Sequence, residues 1–216
     1  MKIYTGNADG ESLDKVEEMG LGIMVASSAT WPPRKSYSRV PCALDNGAFQ
    51  CSRRGFPFME SVFLATLDKA YEVGLRLDFI VCPDIVGGGK RSLDFSLTWA
   101  TGRLATAPML ALAVQDGMEP DSLIEFRVQD SFSHIFIGGS IEWKWKTVDA
   151  WVDFAHERGM KAHIGQAGRL QHLIAADRSG ADSVDSTSLV RNQSWHIIEE
   201  FRSGGQCDLN LEASCQ

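Results

Sequence analysis

The chain has 216 residues, 44% apolar and 23% charged, with no long low-complexity run, which describes one compact soluble domain able to bury a sizeable core. A formal charge of −7 argues against a protein that coats nucleic acid nonspecifically, because counterion release from phosphate contacts drives such binding; a local basic face is still allowed. Five cysteines, Cys42, Cys51, Cys82, Cys207 and Cys215, are odd in number, widely spaced and form no C-x-x-C pair, which argues against a disulfide framework and against a cysteine-rich zinc site.

The opening MKIYTGNADGES has neither the apolar core of a signal peptide nor the look of a transit peptide, and no 18 apolar residues run together. The expectation is an intracellular, cytoplasmic protein. The first β-like run, KIYTG (2–6), precedes a helical pattern over 10–19 that should stop at Gly20. LGIMVA (21–26) follows, then the longest insertion, SSATWPPRKSYSRVP. CALDNG (42–47) leads to a helix over 58–73 ending at Gly74, and DFIVCPD (78–84) leads through VGGGKRS (86–92) to a helix over 92–106. MLALAVQDG (109–117) is followed by a helix over 120–131 with PDS as its start, and HIFIGG (134–139) by a helix over 145–159 stopping at Gly159. KAHIGQ (161–166), a helix over 168–179 with its stop at Gly180, DSVDS (182–186) and a helix over 192–203 complete the series; the tail from 203 reads as loosely docked.

Eight short runs, apolar without strict alternation, are what parallel strands covered on both faces require. Their alternation with helices in one domain predicts a (β/α)8 TIM barrel in preference to an open doubly wound sheet.

In such a barrel the strand C-termini and the loops after them form the catalytic face. Asn7, Asp9, Asp45, Asn46, Asp84, Gln115, Asp116, Gly138, Gly139, His163, Gln166 and Asp185 all fall there. Asp45, Asp84 and Asp185 come from separate strands into one mouth, where they should perturb one another's pKa values. Paired carboxylates can act as nucleophile and general acid/base at a sugar anomeric carbon. Asp182 falls on the opposite strand face, nearer the strand's start, and reads as structural.

Arg34, Lys35, Arg39, Arg53, Arg54, Lys90, Arg91, Lys144, Lys146, Arg169 and Arg191 follow the strands too, 11 of the 21 Lys and Arg residues. Trp31, Tyr37, Phe49, Phe56, Trp143 and Trp145 are interleaved with them, so the pattern fits phosphate contacts with base stacking, or a solvated polar rim. VGGGKRS lacks the P-loop spacing, but its flexible amides with Lys90 and Arg91 fit a phosphate. Gly138 and Gly139 suit close backbone approach to a flat ligand, or a tight turn. His163, without a second histidine or cysteine nearby, reads as a histidine bonded within the barrel; Lys161 lies at the stability end.

These motifs, in this order, resemble the tRNA-guanine transglycosylase superfamily across about residues 42–191. LDNGAFQ is similar to the family's D-S-G-G-F/Y-Q, VCPDI to its base-recognising Asp segment, LAVQDG to Q-G-G, FIGGS to I-G-G-L, and GADSVDSTSLVR to G-x-D-x-F-D-C-x-x-P-T-R. The resemblance implies Asp185 as nucleophile and Asp45 as the second catalytic carboxylate, with Asp84, Gln115, Gly138, Gly139 and Phe49 at the base. It implies a nucleic-acid rim of Arg34, Lys35, Arg53, Arg54, Lys90, Arg91, Lys144, Lys146 and Arg191, and no cofactor. The family's C-x-C-x-x-C…H zinc insertion has no counterpart here, and Leu189 and Val190 replace Pro and Thr. A short zinc-less chain looks more like the DNA-modifying, DpdA-type branch found in phages and bacteria. That implies DNA as partner, RNA as the alternative, and a free 7-deazaguanine as co-substrate, in a host cytoplasm if phage-encoded; a homodimer or an accessory protein is left open. The rival expectations are an N-glycosidase or nucleoside hydrolase, and a non-catalytic nucleic-acid-binding subunit.

Overall fold

A computed structural model describes residues 1–204; the remainder of the tail, with Cys207 and Cys215, lies outside the described residues. Eight parallel strands close into a barrel in sequence order: β1 (Lys2–Thr5), β2 (Gly22–Ala26), β3 (Cys42–Asp45), β4 (Leu77–Val81), β5 (Leu110–Val114), β6 (His134–Ile137), β7 (Lys161–Ile164) and β8 (Ser183–Ser186). Closure is completed by β1 on β8, with Tyr4 opposite Asp185. The (β/α)8 expectation holds, each strand falling in an expected run or within one residue of it.

Side-chain size explains the two cores. On β5, Leu110, Leu112 and Val114 face the helices, while Ala111 and Ala113 face the lumen with Tyr4, Met24, Ala43, Phe79 and Val81. Small residues on some strands make room for the aromatic rings on others, so the lumen is filled and not a pore. Truncating a buried leucine such as Leu112 to alanine should cost about 2–5 kcal/mol.

The helices that support the mouth are α1 (Gly10–Glu18), α2 (Ala48–Arg53), α3 (Glu60–Glu72), α4 (Lys90–Thr101), α5 (Ile141–Glu157), α6 (Leu170–Arg178), α7 (Thr187–Arg191) and α8 (Trp195–Arg202). The four glycines expected as helix stops, Gly20, Gly74, Gly159 and Gly180, all have left-handed backbone, with φ between 61° and 81°.

Four features differ from the sequence expectation. The helix expected over 92–106 is α4, which ends at Thr101 with Gly102 as its cap. The segment over 120–131 is two 3-10 turns, Pro120–Phe126 and Val128–Asp130, because Arg127 between them takes a left-handed φ of 44° and breaks the helical path. The short helices α2 and α7 follow β3 and β8 directly. Helix α5 begins at Ile141, four residues before the expected start, because Ser140 caps it through its hydroxyl and the Trp143 amide. No helix among the described residues is long and apolar enough to cross a membrane.

Candidate active site

Alternation along the strands sets which side chains enter the barrel. Ala43 faces the lumen, so Asp45 two residues on does as well; His163 packs on Phe136 and Phe79, and Ser183 and Asp185 lie on its side of the wall. Three carboxylates therefore meet at the C-terminal end.

Asp45 is half-buried at the end of β3. Its pKa is pushed up to about 7, chiefly by burial, then by the charge of Asp185 and in smaller part by Asp84; the amides of Gly47 and Asn46 pull the other way. Asp84, just beyond β4, is buried and pushed up to about 6 by that burial, although Asn46 and Gln115 hydrogen bonds favour its charged form. The expected mutual perturbation is present at Asp45, second to desolvation; at Asp84 desolvation is the cause that raises the pKa.

Asp185 keeps 13% of its side chain exposed, and its Oδ2 is 3.0 Å from His163 Nε2. The opposite ring nitrogen, Nδ1, is 2.8 Å from Ser183 Oγ. Gly165 leaves the space beside them: a Cβ there would fall 2.9 Å from the Phe136 ring and 3.5 Å from Asp185 Oδ2. His163 is thus bonded within the barrel, as the sequence suggested, but to the candidate nucleophile.

Lys144 corrects the expected rim. It is 1% exposed and donates a hydrogen bond to the Gly165 carbonyl. With α5 starting at Ile141, Lys144 falls on the helix face of Val148, Trp151 and Ala155, at i+4, i+7 and i+11, and so points inward. Burial pulls its pKa down to about 8, opposed by the charges of Asp185 and Asp116. Lys144 is a buried cation of the mouth and not a nucleic-acid contact.

Gln115 has a structural task at the wall of the mouth. It is buried, its Oε1 accepts from the Gly87 amide at 2.5 Å, and its Nε2 donates to Ile85 O at 2.9 Å, Ser92 Oγ at 3.0 Å and Asp84 Oδ2 at 3.3 Å. These bonds fasten the glycine-rich loop after β4 and commit the N–H groups of the Gln115 amide to that wall. Asn46, passed over as a site residue, donates to Asp84 Oδ1 and to Cys82 O, both at 2.8 Å, and completes this wall. The signal was its place beside Asp45 at the strand end.

Gly138 and Gly139 each have a packing reason of their own. A Cβ on Gly138 would lie 3.3 Å from Val114 O, to which the Gly138 amide donates at 2.9 Å. Gly139 has a φ of 74°, and a Cβ on it would lie 2.6 Å from Asp116 Oδ2 and 2.8 Å from Trp143. Asp116 accepts from the Ser140 amide at 2.7 Å and hydroxyl at 2.5 Å, which fixes the α5 start.

At the periphery, Phe49 is 43% exposed with the Arg53 guanidinium 5.9 Å from its ring centre. Arg34 lies over Trp31 at 4.8 Å and reaches Asp9 at 3.3 Å. Lys35, Arg53, Arg54, Lys90, Arg91, Lys146 and Arg191 are exposed and make no ion pair with any described residue. Arg39 lies elsewhere: it precedes β3 at the N-terminal end of the barrel, where Asp14 and Glu17 of α1 bind it.

Two open clefts, of about 260 and 680 Å³, are also at that N-terminal end, lined for example by Leu77 and Met109 and by Leu110 and Met160. They are remote from the carboxylate cluster, and the chemistry of the mouth locates the candidate site better than cleft size does. Among the described residues no group of three His, Cys, Asp or Glu side chains is placed to hold a metal ion. Searches of protein-family models and of curated proteins find no match to this chain.

Proposed function

We propose that the protein is a base-exchange glycosyltransferase that replaces guanine in DNA with a 7-deazaguanine through an aspartyl-glycosyl intermediate. The observation that carries this reading is the pairing of Asp185, partly exposed and held by His163, with Asp45, whose pKa is pushed up to about 7 in the same mouth. A partly exposed carboxylate to attack, beside a carboxyl whose raised pKa lets it give and take a proton, is what nucleophilic displacement at an anomeric carbon requires.

Asp185 Oδ1 attacks C1′ of the target nucleotide while the C1′–N9 bond breaks, its electron pair leaving with guanine. Neutral Asp45 donates the proton that makes the departing guanine neutral. The incoming 7-deazaguanine then gives its N9 proton to the Asp45 carboxylate, attacks C1′, and returns the C1′–O electron pair to Asp185. Asp84, held by Asn46 and Gln115, keeps lone pairs to accept from the N–H edge of the base, and Phe49 offers a ring at the entrance. Because C1′ is hidden within a duplex, the nucleotide enters flipped out or single-stranded. The exposed cations Arg53, Arg54, Lys90, Arg91, Lys35, Lys146 and Arg191, with Arg34, supply phosphate contacts.

The test is incorporation of labelled guanine into DNA and, in parallel, into tRNA, by the intact protein and by Asp185→Asn. Label entering DNA only with the intact protein is the expected result. Label in tRNA alone would overturn the DNA assignment. Release of free guanine with no incoming base would replace the transferase with a hydrolase, and binding without exchange would leave a nucleic-acid-binding subunit.

A further inference from the structure

Resting on the proposed role of Asp185, we infer that His163 is its positioning residue, with Ser183 fixing the ring. The directions of two hydrogen bonds fix where the ring carries its proton. Asp185 Oδ2 is 3.0 Å from His163 Nε2, and an ionised carboxylate can only accept. If Nε2 lacked its proton, two lone pairs would face each other at that distance. Nε2 therefore carries a proton and donates it to Oδ2. The Ser183 hydroxyl, 2.8 Å from Nδ1, can then donate to a neutral ring, and so keeps the proton on the side of Asp185.

The ring has little freedom to turn. His163 is fully buried and Ser183 is 5% exposed. Phe136 stacks on the imidazole at 4.9 Å with planes 23° apart, and Phe79 and Tyr4 close other sides at 5.0 and 5.9 Å. The order Ser183, His163, Asp185 resembles a hydrolase triad only in composition, because Ser183 is buried behind the ring and the carboxylate is the member that reaches the mouth.

The consequence is a division of labour within one carboxylate. Oδ2 is held by the ring, so Oδ1 is the oxygen presented to C1′. When the ester forms, the C1′–Oδ1 bond is made, Oδ2 becomes the ester carbonyl oxygen, and the His163 N–H remains on it. When the second base attacks and the C1′–Oδ1 bond breaks, the carboxylate charge returns to an oxygen that already has its donor. His163 neither gains nor loses a proton, and touches the substrate only through Asp185.

The test compares His163→Phe, which keeps a flat ring among Phe136, Phe79 and Tyr4, with His163→Gln, which offers an N–H at similar reach, and with Ser183→Ala. For guanine exchange, His163→Phe should lower kcat by roughly ten- to a hundredfold with KM little changed, as loss of a hydrogen bond to a charged group predicts. His163→Gln should recover part of that loss, and Ser183→Ala should lose less than His163→Phe. Exchange by folded His163→Phe within about twofold of the intact protein, a change smaller than one ordinary hydrogen bond, would overturn the inference; so would a His163→Gln protein no faster than His163→Phe. The intact protein supplies a second readout that needs no activity and does not depend on how the variants fold. Nitrogen-15 NMR of His163 should find the proton on Nε2; a neutral ring protonated on Nδ1 overturns the inference. If the intact protein exchanges no base and Nε2 still carries the proton, the positioning bond stands and the base-exchange reading is what fails.

Discussion

Two pairs of aspartates, one pair at each end of this barrel, are treated in opposite ways. At the N-terminal end Asp78 is met by Lys2 Nζ at 2.9 Å and the Tyr4 hydroxyl at 2.5 Å, while Asp182 accepts from the Ala162 amide and is paired with His156, each at 2.9 Å. Partial burial opposes the charge on Asp182, but the Ala162 amide and His156 outweigh it and hold its pKa down. At the C-terminal end Asp45 and Asp84 have no cation beside them among the described residues and are pushed up to about 7 and about 6. Asp78 and Asp182 are satisfied as structure, whereas Asp45 and Asp84 are held desolvated without a countercharge among the described residues, at a cost in stability that a reacting site can justify. Cations follow the same division: Arg39 and Lys2 are ion-paired at the N-terminal end, while seven arginines and lysines around the mouth have no ion pair with any described residue.

The strongest way to break this comparison is to remove the nucleophile. Asp185→Asn should lower base exchange by about a thousandfold or more while the thermal midpoint stays close to that of the intact protein. Single-turnover release of guanine and a thermal scan of the same sample check both halves.

Asp45→Asn should reduce exchange by about a hundredfold or more and change its pH dependence. In the intact protein, single-turnover formation of the ester should slow as pH rises through about 7, because the proton donor is lost; the variant should lack that limb. Stability has a related sign. Raised folded-state pKa values mean that the contribution of Asp45 and Asp84 is fully present below about pH 4, near the unfolded carboxyl value, and is lost as pH rises through about 6 and about 7. Asp45→Asn should therefore be more stable than the intact protein at pH 8, with the advantage vanishing near pH 4. Denaturant midpoints at the two pH values read this directly.

A smaller effect sharpens the cationic half. Arg53→Gln with Arg54→Gln should weaken DNA binding and reduce the slope of log affinity against log salt by about two. Lys144→Met should leave that slope unchanged, since Lys144 is buried against the Gly165 carbonyl. Smallest of all, Asp182→Asn should cost about 1 kcal/mol of stability, seen in denaturant unfolding, and leave exchange untouched.

The barrel was legible because its strands are short, apolar runs separated by helix stops, and both signals are local. Asp45, Asp84 and Asp185 were legible as a group once the runs were read as barrel strands, since strand ends converge by topology alone. What the sequence hid depended on exact phase or on contacts across the barrel. A helix start misplaced by four residues put Lys144 in a loop, although Ser140 is a good cap and the spacing of Lys144, Val148 and Trp151 was there to be followed. Gln115 stands at a strand end like Asp45, yet whether its amide meets the loop after β4 or a ligand is decided by residues about 30 positions away. The bond from His163 to Asp185 follows from the pairing of β7 with β8, in which His163 lies opposite Ser183, and no local pattern announces it. The helix expected over 120–131 failed on one residue, Arg127, whose left-handed backbone carries no sequence signature of the kind glycine supplies.

The measurement that tests the central claim most directly is capture of the covalent intermediate. The intact protein is mixed with an oligonucleotide whose target guanosine carries fluorine at C2′, a substitution that slows hydrolysis of the glycosyl ester, and the product is digested and mapped by mass spectrometry. The account predicts one equivalent of oligonucleotide on the peptide containing Asp185, formed with release of guanine and reversed by added base. Guanine release without any adduct, or an adduct on a residue other than Asp185, would contradict it.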